Sequence, residues 1–144
     1  MYGITELHEI MTKEQILENF DPSQPGLADA TIFGLPFSAE QSEIIVIPVP
    51  WEVTVSYGSG ASKGPDAVLD ASFQVDLNHQ EFPELWKLGI YLDKAPKELK
   101  KKSKKYKKQA APIIKALESG MILDHHPSLT KDLEEINYAC SDMV

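Results

Sequence analysis

Residues 44–69 read IIVIPVPWEVTVSYGSGASKGPDAVL, and this stretch decides the fold of the 144-residue chain. It opens on four consecutive β-branched residues, Ile44 to Ile47, a pattern typical of a strand buried on both faces. A connection rich in Gly, Ser and Pro follows. Gly64-Pro65 then opens a helix, because proline at the first helical position presets φ and loses no hydrogen bond. One face of that helix is predicted to carry Val68, Ala71, Ser72 and Val75.

A second strand is predicted from Leu88 to Leu92, bounded by Asp93 and Pro96. Together with the first strand and its helix it makes a βαβ unit, which indicates a doubly wound α/β fold with a parallel sheet and a right-handed crossover. Two strands alone would leave both sheet edges open. We therefore expect residues 44–144 to be the first part of an α/β domain that is incomplete at its C-terminus, with further strands supplied by the same polypeptide or by another chain.

A short helix and a long loop are predicted before the first strand, in residues 1–43. Thr12-Lys13-Glu14-Gln15 has the capping-box spacing, so the helix is expected from Thr12 to about Phe20. Asp21-Pro22 ends it. The scattered prolines and glycines that follow favour an ordered loop over regular structure.

Two further helices are predicted after the second strand. The first is rich in lysine, and its apolar residues recur at helical spacing in Leu99, Tyr106, Ala110, Ile113, Ile114 and Leu117. Pro112 is expected to kink this helix or to divide it, and Gly120 to end it. The second begins near Ser128, with one stripe formed by Leu129, Leu133, Ile136 and Cys140. On that stripe Cys140 is expected to be a small buried hydrophobe.

The composition is that of an average globular protein, with 42% hydrophobic and 25% charged residues. The longest apolar run, Ile44 to Trp51, is far shorter than the roughly 20 residues that cross a bilayer. The N-terminus lacks the basic and then apolar order of a secretory signal, and a single cysteine forms no internal disulfide. These features predict a soluble, cytoplasmic protein with no membrane partner.

Ten of the 14 basic residues, all of them lysines, lie between Lys94 and Lys115, with Glu98 the one acidic residue among them. Because the chain has no arginine, bidentate guanidinium clamps are absent from it. The lysine helix is either an anion-binding surface acting by counterion release or a solvated face. Only Tyr106 interleaves the lysines, so base stacking is unsupported. We favour the solvated face and expect no nucleic-acid partner.

The stretch from Val46 to Leu69 resembles the first strand, loop and helix of the ureohydrolases, the arginase and agmatinase family. Agmatinase-like members show a buried strand, then Pro-aromatic-acid, Thr-x-Ser-Tyr, a Gly-rich turn, and Gly-Pro opening a helix. The matching positions here are Glu52, Ser56, Tyr57, Gly60, Gly64 and Pro65. Ala71 to Leu77 is also similar to that branch. Ser62 and Leu69 depart from it, since many members have arginine there.

The resemblance implies a three-layer α/β/α arginase-like fold, of which this chain supplies only the first strands and helices, the N-terminal portion. Family members hold two metal ions, usually Mn²⁺, through Gly-Gly-Asp-His, Asp-Ala-His-x-Asp and Asp-x-Asp-x-x-Asp segments. None of these occurs in the sequence. We therefore assign it no catalytic and no metal-binding residue, and expect the segment alone to bind no metal and to be inactive.

For the intact protein the resemblance implies hydrolysis of a guanidino C–N bond with release of urea, with two Mn²⁺ or another divalent metal as cofactor. It also implies a homo-oligomer, commonly a trimer or hexamer. The remainder of the catalytic domain and a small guanidino substrate would be its partners. The alternative is a non-catalytic, truncated or degenerate relative that acts as an interaction or assembly module. The sequence does not choose among guanidino and formimino substrates.

The loop that follows Ile47 carries the candidate site residues, because ligands of doubly wound sheets bind beyond the carboxyl ends of the strands. Glu52, Ser56 and Tyr57 are the substrate-loop candidates, while Gly60, Gly64 and Pro65 shape the loop and the helix start. For Glu52, bracing a loop by accepting backbone hydrogen bonds is favoured over attracting a cationic substrate. Trp51 and Tyr57 are expected to pack. A different cluster, Asp124-His125-His126, is expected to be a solvated loop.

Overall fold

A computed structural model of the chain describes residues 11–26, 30–55 and 57–142. The chain forms two compact units, a first unit of Met1–Pro48 with Gly64–Ala95 and a second unit of Val49–Lys63 with Pro96–Val144. In the described residues the helices are α1 (Lys13–Asn19), α2 (Gly64–Ser72), α3 (Lys97–Glu118) and α4 (Pro127–Ser141), and the strands are β1 (Ile44–Val46) and β2 (Ile90–Leu92). Short 3₁₀ helices cover Ile32–Gly34, Ala61–Lys63, Leu85–Leu88 and Leu123–His125.

The two strands pair in parallel, as predicted, with Ile44 opposite Ile90 and Val46 opposite Leu92. The prediction that β1 is buried on both faces is wrong for the described residues, because Ile44 and Ile45 are 42% and 43% exposed. Within the described chain the sheet consists of these two strands, and a two-stranded sheet is at best marginally stable without further elements packed on it. The result is a mixed α/β structure with a small parallel sheet.

The second strand is shorter than predicted, beginning at Ile90 instead of Leu88. Leu88 ends a 3₁₀ helix, and Gly89 has φ of +73°, which a strand residue does not adopt. A side chain at Gly89 would also lie 2.9 Å from the Cα of Ser42. The chain therefore turns at this glycine before it joins the sheet.

Helix α1 confirms the capping-box prediction. The backbone N–H of Gln15 donates to Thr12 Oγ1 at 3.4 Å, and that of Thr12 donates to Gln15 Oε1 at 2.9 Å. The helix buries Ile16 in the core of the first unit, which also contains Leu35, Phe37 and Trp86. Reciprocal capping thus starts the helix where the sequence predicts, and one buried side chain holds it.

Helix α2 begins at Gly64, as predicted, but three of the four residues of its predicted face are exposed. Val68 and Val75 are 56% and 52% exposed, and Val75 lies beyond the end of the helix at Ser72. The buried residue is Ser72, whose hydroxyl accepts the N–H of Phe33 at 2.8 Å and donates to the carbonyl of Leu69 at 2.7 Å. A polar contact of Ser72 with the Ile32–Gly34 segment therefore attaches the end of α2 within the first unit.

Helices α3 and α4 pack on each other in the second unit. Their shared core contains Ala110, Ile113 and Ile136, with Leu129, Leu133 and Cys140 partly buried around it. The predicted stripe of α4 is therefore confirmed, although Cys140 is only partly buried. On the rim, Lys105 Nζ lies 2.8 Å from Glu135 Oε1.

Pro112 does not divide α3, which runs unbroken from Lys97 to Glu118. Residue 112 is on the exposed side of the helix, where water can donate to the carbonyl of Lys108, which proline leaves without its helical partner. The helix ends as predicted at Gly120, which has φ of +77°. Its N–H donates to Leu117 and that of Met121 to Ala116, both at 3.0 Å, which is the Schellman arrangement.

Candidate functional site

The candidate site is the loop of residues 49–63, which follows β1 and belongs to the second unit. Two glycines allow the backbone of this loop to turn. Gly58 has a φ of +66° and Gly60 a φ of +147°, values that glycine adopts readily and other residues rarely. The N–H of Lys63 closes the end of the loop on the carbonyl of Gly60 at 2.8 Å. The Gly-rich turn seen in the sequence is therefore a turn in the structure.

Glu52 lies at the centre of this loop with its side chain 1% exposed. Its Oε2 accepts the backbone N–H groups of Gly60 at 2.8 Å and Ser62 at 3.0 Å. Its Oε1 accepts the Ser59 hydroxyl at 2.7 Å and pairs with the ammonium of Lys107 from α3. The carboxylate therefore ties three positions of its own loop together and ties the loop to the helix.

The pKa of Glu52 lies well below its ordinary value. The hydrogen bond from Lys107 is the largest cause, followed by those from Ser62 and Ser59, while burial opposes them and Gly60 adds a smaller lowering. Each of these donors stabilises the charged form of the carboxyl group. Glu52 is therefore an anion throughout the neutral range.

The backbone of Glu52 is held as firmly as its side chain. Its N–H donates to Ser103 Oγ at 2.9 Å, and the same hydroxyl donates back to the Glu52 carbonyl at 3.4 Å. Ser103 is 4% exposed and projects from α3 one turn before Lys107. One helix face thus satisfies both the main chain and the side chain of the same loop residue.

Apolar contacts continue this attachment along α3. Val53 is 4% exposed and packs in the core that contains Ala110 and Ile113. The rings of Trp51 and Tyr106 lie with their centroids 6.2 Å apart. Trp51 therefore packs, as predicted.

Tyr57, in contrast, is 98% exposed, so the prediction that it packs is wrong. Among the described residues of the second unit, none covers this side chain, which precedes Gly58 in the chain. Ser56 lies outside the described residues. Gly64 and Pro65 form the first turn of α2 in the first unit.

The sequence pattern did not identify Ser59, Ser62, Ser103 or Lys107 as site residues. Ser62 drew notice only as a departure from the family pattern. Lys107 is one of ten similar lysines, and no local signal distinguishes it. For Ser103 the sequence does contain a weak signal. It is the one non-lysine residue between Lys100 and Lys105, and helical spacing puts it on the same face as Tyr106 and Ala110.

A binuclear metal centre does not fit the described residues, which contain no group of three or more His, Cys, Asp or Glu side chains able to hold an ion. Asp124, His125 and His126 lie at the exposed 3₁₀ helix before α4. Any metal chemistry would need ligands other than these.

The fold and site define an α/β protein whose parallel strands are linked through a loop and a helix. The chain is 39% identical over 56 residues to the N(1)-aminopropylagmatine ureohydrolase of Synechocystis sp.. The matched stretch makes up 38% of this chain and 18% of the length of that relative. The chain therefore contains a ureohydrolase-like segment that spans well under two thirds of the relative it matches.

No protein-family model and no solved structure matches the chain. In the parts of the chain that the structure describes, no helix combines the length and the apolar character that a membrane span requires.

Proposed function

We propose that this chain contributes the opening strand, loop and helices of a binuclear-metal ureohydrolase of the agmatinase-like branch, with a three-layer α/β/α fold when complete. The observation that carries the proposal is the 39% identity to a ureohydrolase over 56 residues. The parallel pairing of β1 with β2 agrees with such a sheet. The complete enzyme would hydrolyse a guanidino C–N bond of a small substrate and release urea.

Two Mn²⁺ ions, or another divalent metal, are the proposed cofactor of the complete enzyme. Such ions would lower the pKa of a bound water molecule to near neutrality and would so supply a nucleophile for hydrolysis of the guanidino group. The ligands would come from the remainder of the catalytic domain, since the family's metal segments are absent from residues 1–144. We therefore propose that the 144-residue chain alone does not release urea.

The loop of residues 49–63 is proposed to line or brace the active site. Ser56 and Tyr57 stay substrate-loop candidates. Glu52 is the residue whose contacts support a bracing role, because its acceptors are engaged by Ser59, Gly60, Ser62 and Lys107. A cationic substrate would have to displace one of these donors in order to pair with it.

The test is to isolate the protein from its natural source with an antibody against α3, and to measure its mass, its manganese content and its release of urea. Agmatine, N(1)-aminopropylagmatine, arginine and guanidinobutyrate are the substrates to compare, with the 144-residue chain alone as control. We expect metal and urea release only where additional polypeptide accompanies the chain. Additional polypeptide without metal or urea release would overturn the proposal.

A non-catalytic assembly module is the second candidate, favoured by the exposure of the apolar residues Ile44 and Ile45 on β1. In that case the isolated protein would keep a mass of 16.0 kDa per chain and contain no manganese.

For the enzyme we further propose a cytoplasmic homo-oligomer, a trimer or hexamer, with no nucleic-acid or membrane partner. Light scattering on the isolated protein measures that state.

A further inference from the structure

One face of α3 contacts the loop of residues 49–63 along the stretch from Ser103 to Ala110. Ser103, Tyr106, Lys107 and Ala110 follow at the helical spacing that puts residues on one side. They contact, in order, the backbone of Glu52, the ring of Trp51, the carboxylate of Glu52, and the core that contains Val53. We propose that α3 is a built-in brace of the site loop and that Lys107 is its positioning residue. The inference rests on the proposed function only in taking this loop to line the active site.

The carboxylate of Glu52 has no capacity left for a ligand. Oε1 meets Lys107 and the Ser59 hydroxyl, and Oε2 meets the N–H groups of Gly60 and Ser62. Two partners on each oxygen saturate an ionised carboxylate in this geometry. Glu52 therefore acts on the loop and not on a substrate.

Lys107 differs from Lys101 and Lys105, two other lysines of α3 that form ion pairs, in the exposure of its acidic partner. In the pairs Lys101–Glu98 and Lys105–Glu135 the acidic side chains are 75% and 42% exposed, so water can replace the lysine. The Glu52 side chain is 1% exposed, and Lys107 is paired with it in the described part of the chain. Removing this ammonium leaves a buried carboxylate without a counter-charge, which is costly even when neutral donors stay in place.

The loop geometry depends on that charge. Gly60 and Ser62 both point their N–H groups at this anion, and Gly60 has a φ of +147° in that conformation. If the carboxylate became protonated or moved to solvent, these donors would lose their acceptor. We therefore expect the order of the loop to follow the presence of a cation at position 107.

The experiment uses NMR on the 144-residue chain and on the variants Lys107→Met, Lys107→Arg and Lys108→Met. Methionine keeps the apolar stem of lysine and removes the charge, and Lys108 is an exposed neighbour that serves as matched control. Two quantities are measured: the pH titration of the Glu52 carboxyl ¹³C resonance, and amide hydrogen exchange at Gly60 and Ser62. The amide of Ile113 in α3 reports whether the helix stays folded.

We expect Lys107→Met to raise the pKa of Glu52 and to quicken exchange at Gly60 and Ser62 by roughly ten-fold or more, with Ile113 unchanged. Lys107→Arg restores both quantities at least in part, and Lys108→Met leaves both as in the unmodified chain. A helix that merely packs would show no such rescue by charge.

Unchanged exchange and an unchanged titration in Lys107→Met would overturn the assignment. So would a Glu52 carboxyl that titrates at or above the ordinary glutamate pKa in the unmodified chain, a measurement that stands even if the variant fails to fold. Neither readout needs metal or substrate. Failure of the brace is therefore distinguishable from failure of the proposed hydrolase function.

Discussion

Replacing Ser103 by alanine isolates the backbone half of the contact between α3 and the loop. The hydroxyl is the acceptor for the N–H of Glu52 at 2.9 Å, and both residues are at most 4% exposed. Without it the N–H is left buried and unpaired, which costs about 1–3 kcal/mol. Alanine returns about 0.5 kcal/mol through its better helix propensity. We therefore expect a net loss of about 0.5–2.5 kcal/mol.

The assay for Ser103→Ala is urea unfolding followed by ¹⁹F NMR with 5-fluorotryptophan. Trp51 lies in the second unit and Trp86 in the first, so the two resonances report on the units separately. The loss should be seen at Trp51. Ser141→Ala is the control, because that hydroxyl bonds only the carbonyl of Asn137 on an exposed turn of α4. Equal free energies of unfolding for the two variants would refute the reasoning.

Three further predictions concern the second unit. Ile136→Ala, at a position 1% exposed, should cost about 2–5 kcal/mol in chemical denaturation, whereas Leu117→Ala, at 53% exposure, should cost less than half of that. The folded pKa of Glu52 lies below the unfolded value of about 4.3. The contribution of its ionised side chain to the free energy of unfolding is therefore complete above about pH 4.3, and it is lost as the pH falls through the folded pKa. Acid unfolding of the unmodified chain should thus be steeper below about pH 4 than that of Glu52→Gln, and parallel curves would contradict it. In Gly120→Ala the added methyl group would meet no neighbouring atom, but the alanine would have to keep a φ of +77°. Calorimetry should therefore show a loss of about 1–2 kcal/mol in the free energy of unfolding.

Features of the fold that are encoded in neighbouring residues were predictable. The start of α1 depends on Thr12 and Gln15, and the end of α3 depends on Gly120, so each signal lies within a few residues of its effect. The parallel pairing of β1 with β2 followed from the order of strand, helix and strand. Local chemistry and chain connectivity were sufficient for these.

Features that depend on which surface is covered were not predictable. Val68 and Val75 have the spacing of a buried face, yet they are exposed, while Ser72 on the same predicted face is buried and accepts the N–H of Phe33. Pro112 was expected to kink α3 or to divide it, and it does not divide it; the residue lies on the solvent side, where water can donate to the carbonyl that proline leaves unpaired. Periodicity alone does not tell which apolar residues meet a partner.

The same limit applies to the candidate site. Family resemblance singled out Glu52 and Gly60, and they lie in contact. The helix residues that complete the arrangement, Ser103 and Lys107, lie 51 and 55 positions further along the chain than Glu52. Contacts over such a separation leave no periodic signal in a single sequence. The role of α3 therefore emerged only from the geometry.

The separation between the loop and the helix that holds it has a consequence for biosynthesis. Glu52 leaves the ribosome 51 residues before Ser103, an interval of roughly 3–10 s at ordinary elongation rates. During that time its carboxylate is hydrated, and the glycines beside it sample many conformations. The contacts of the loop with Ser103 and Lys107 therefore form only after the lysine-rich helix has been translated, so a translational pause between the two would delay these contacts.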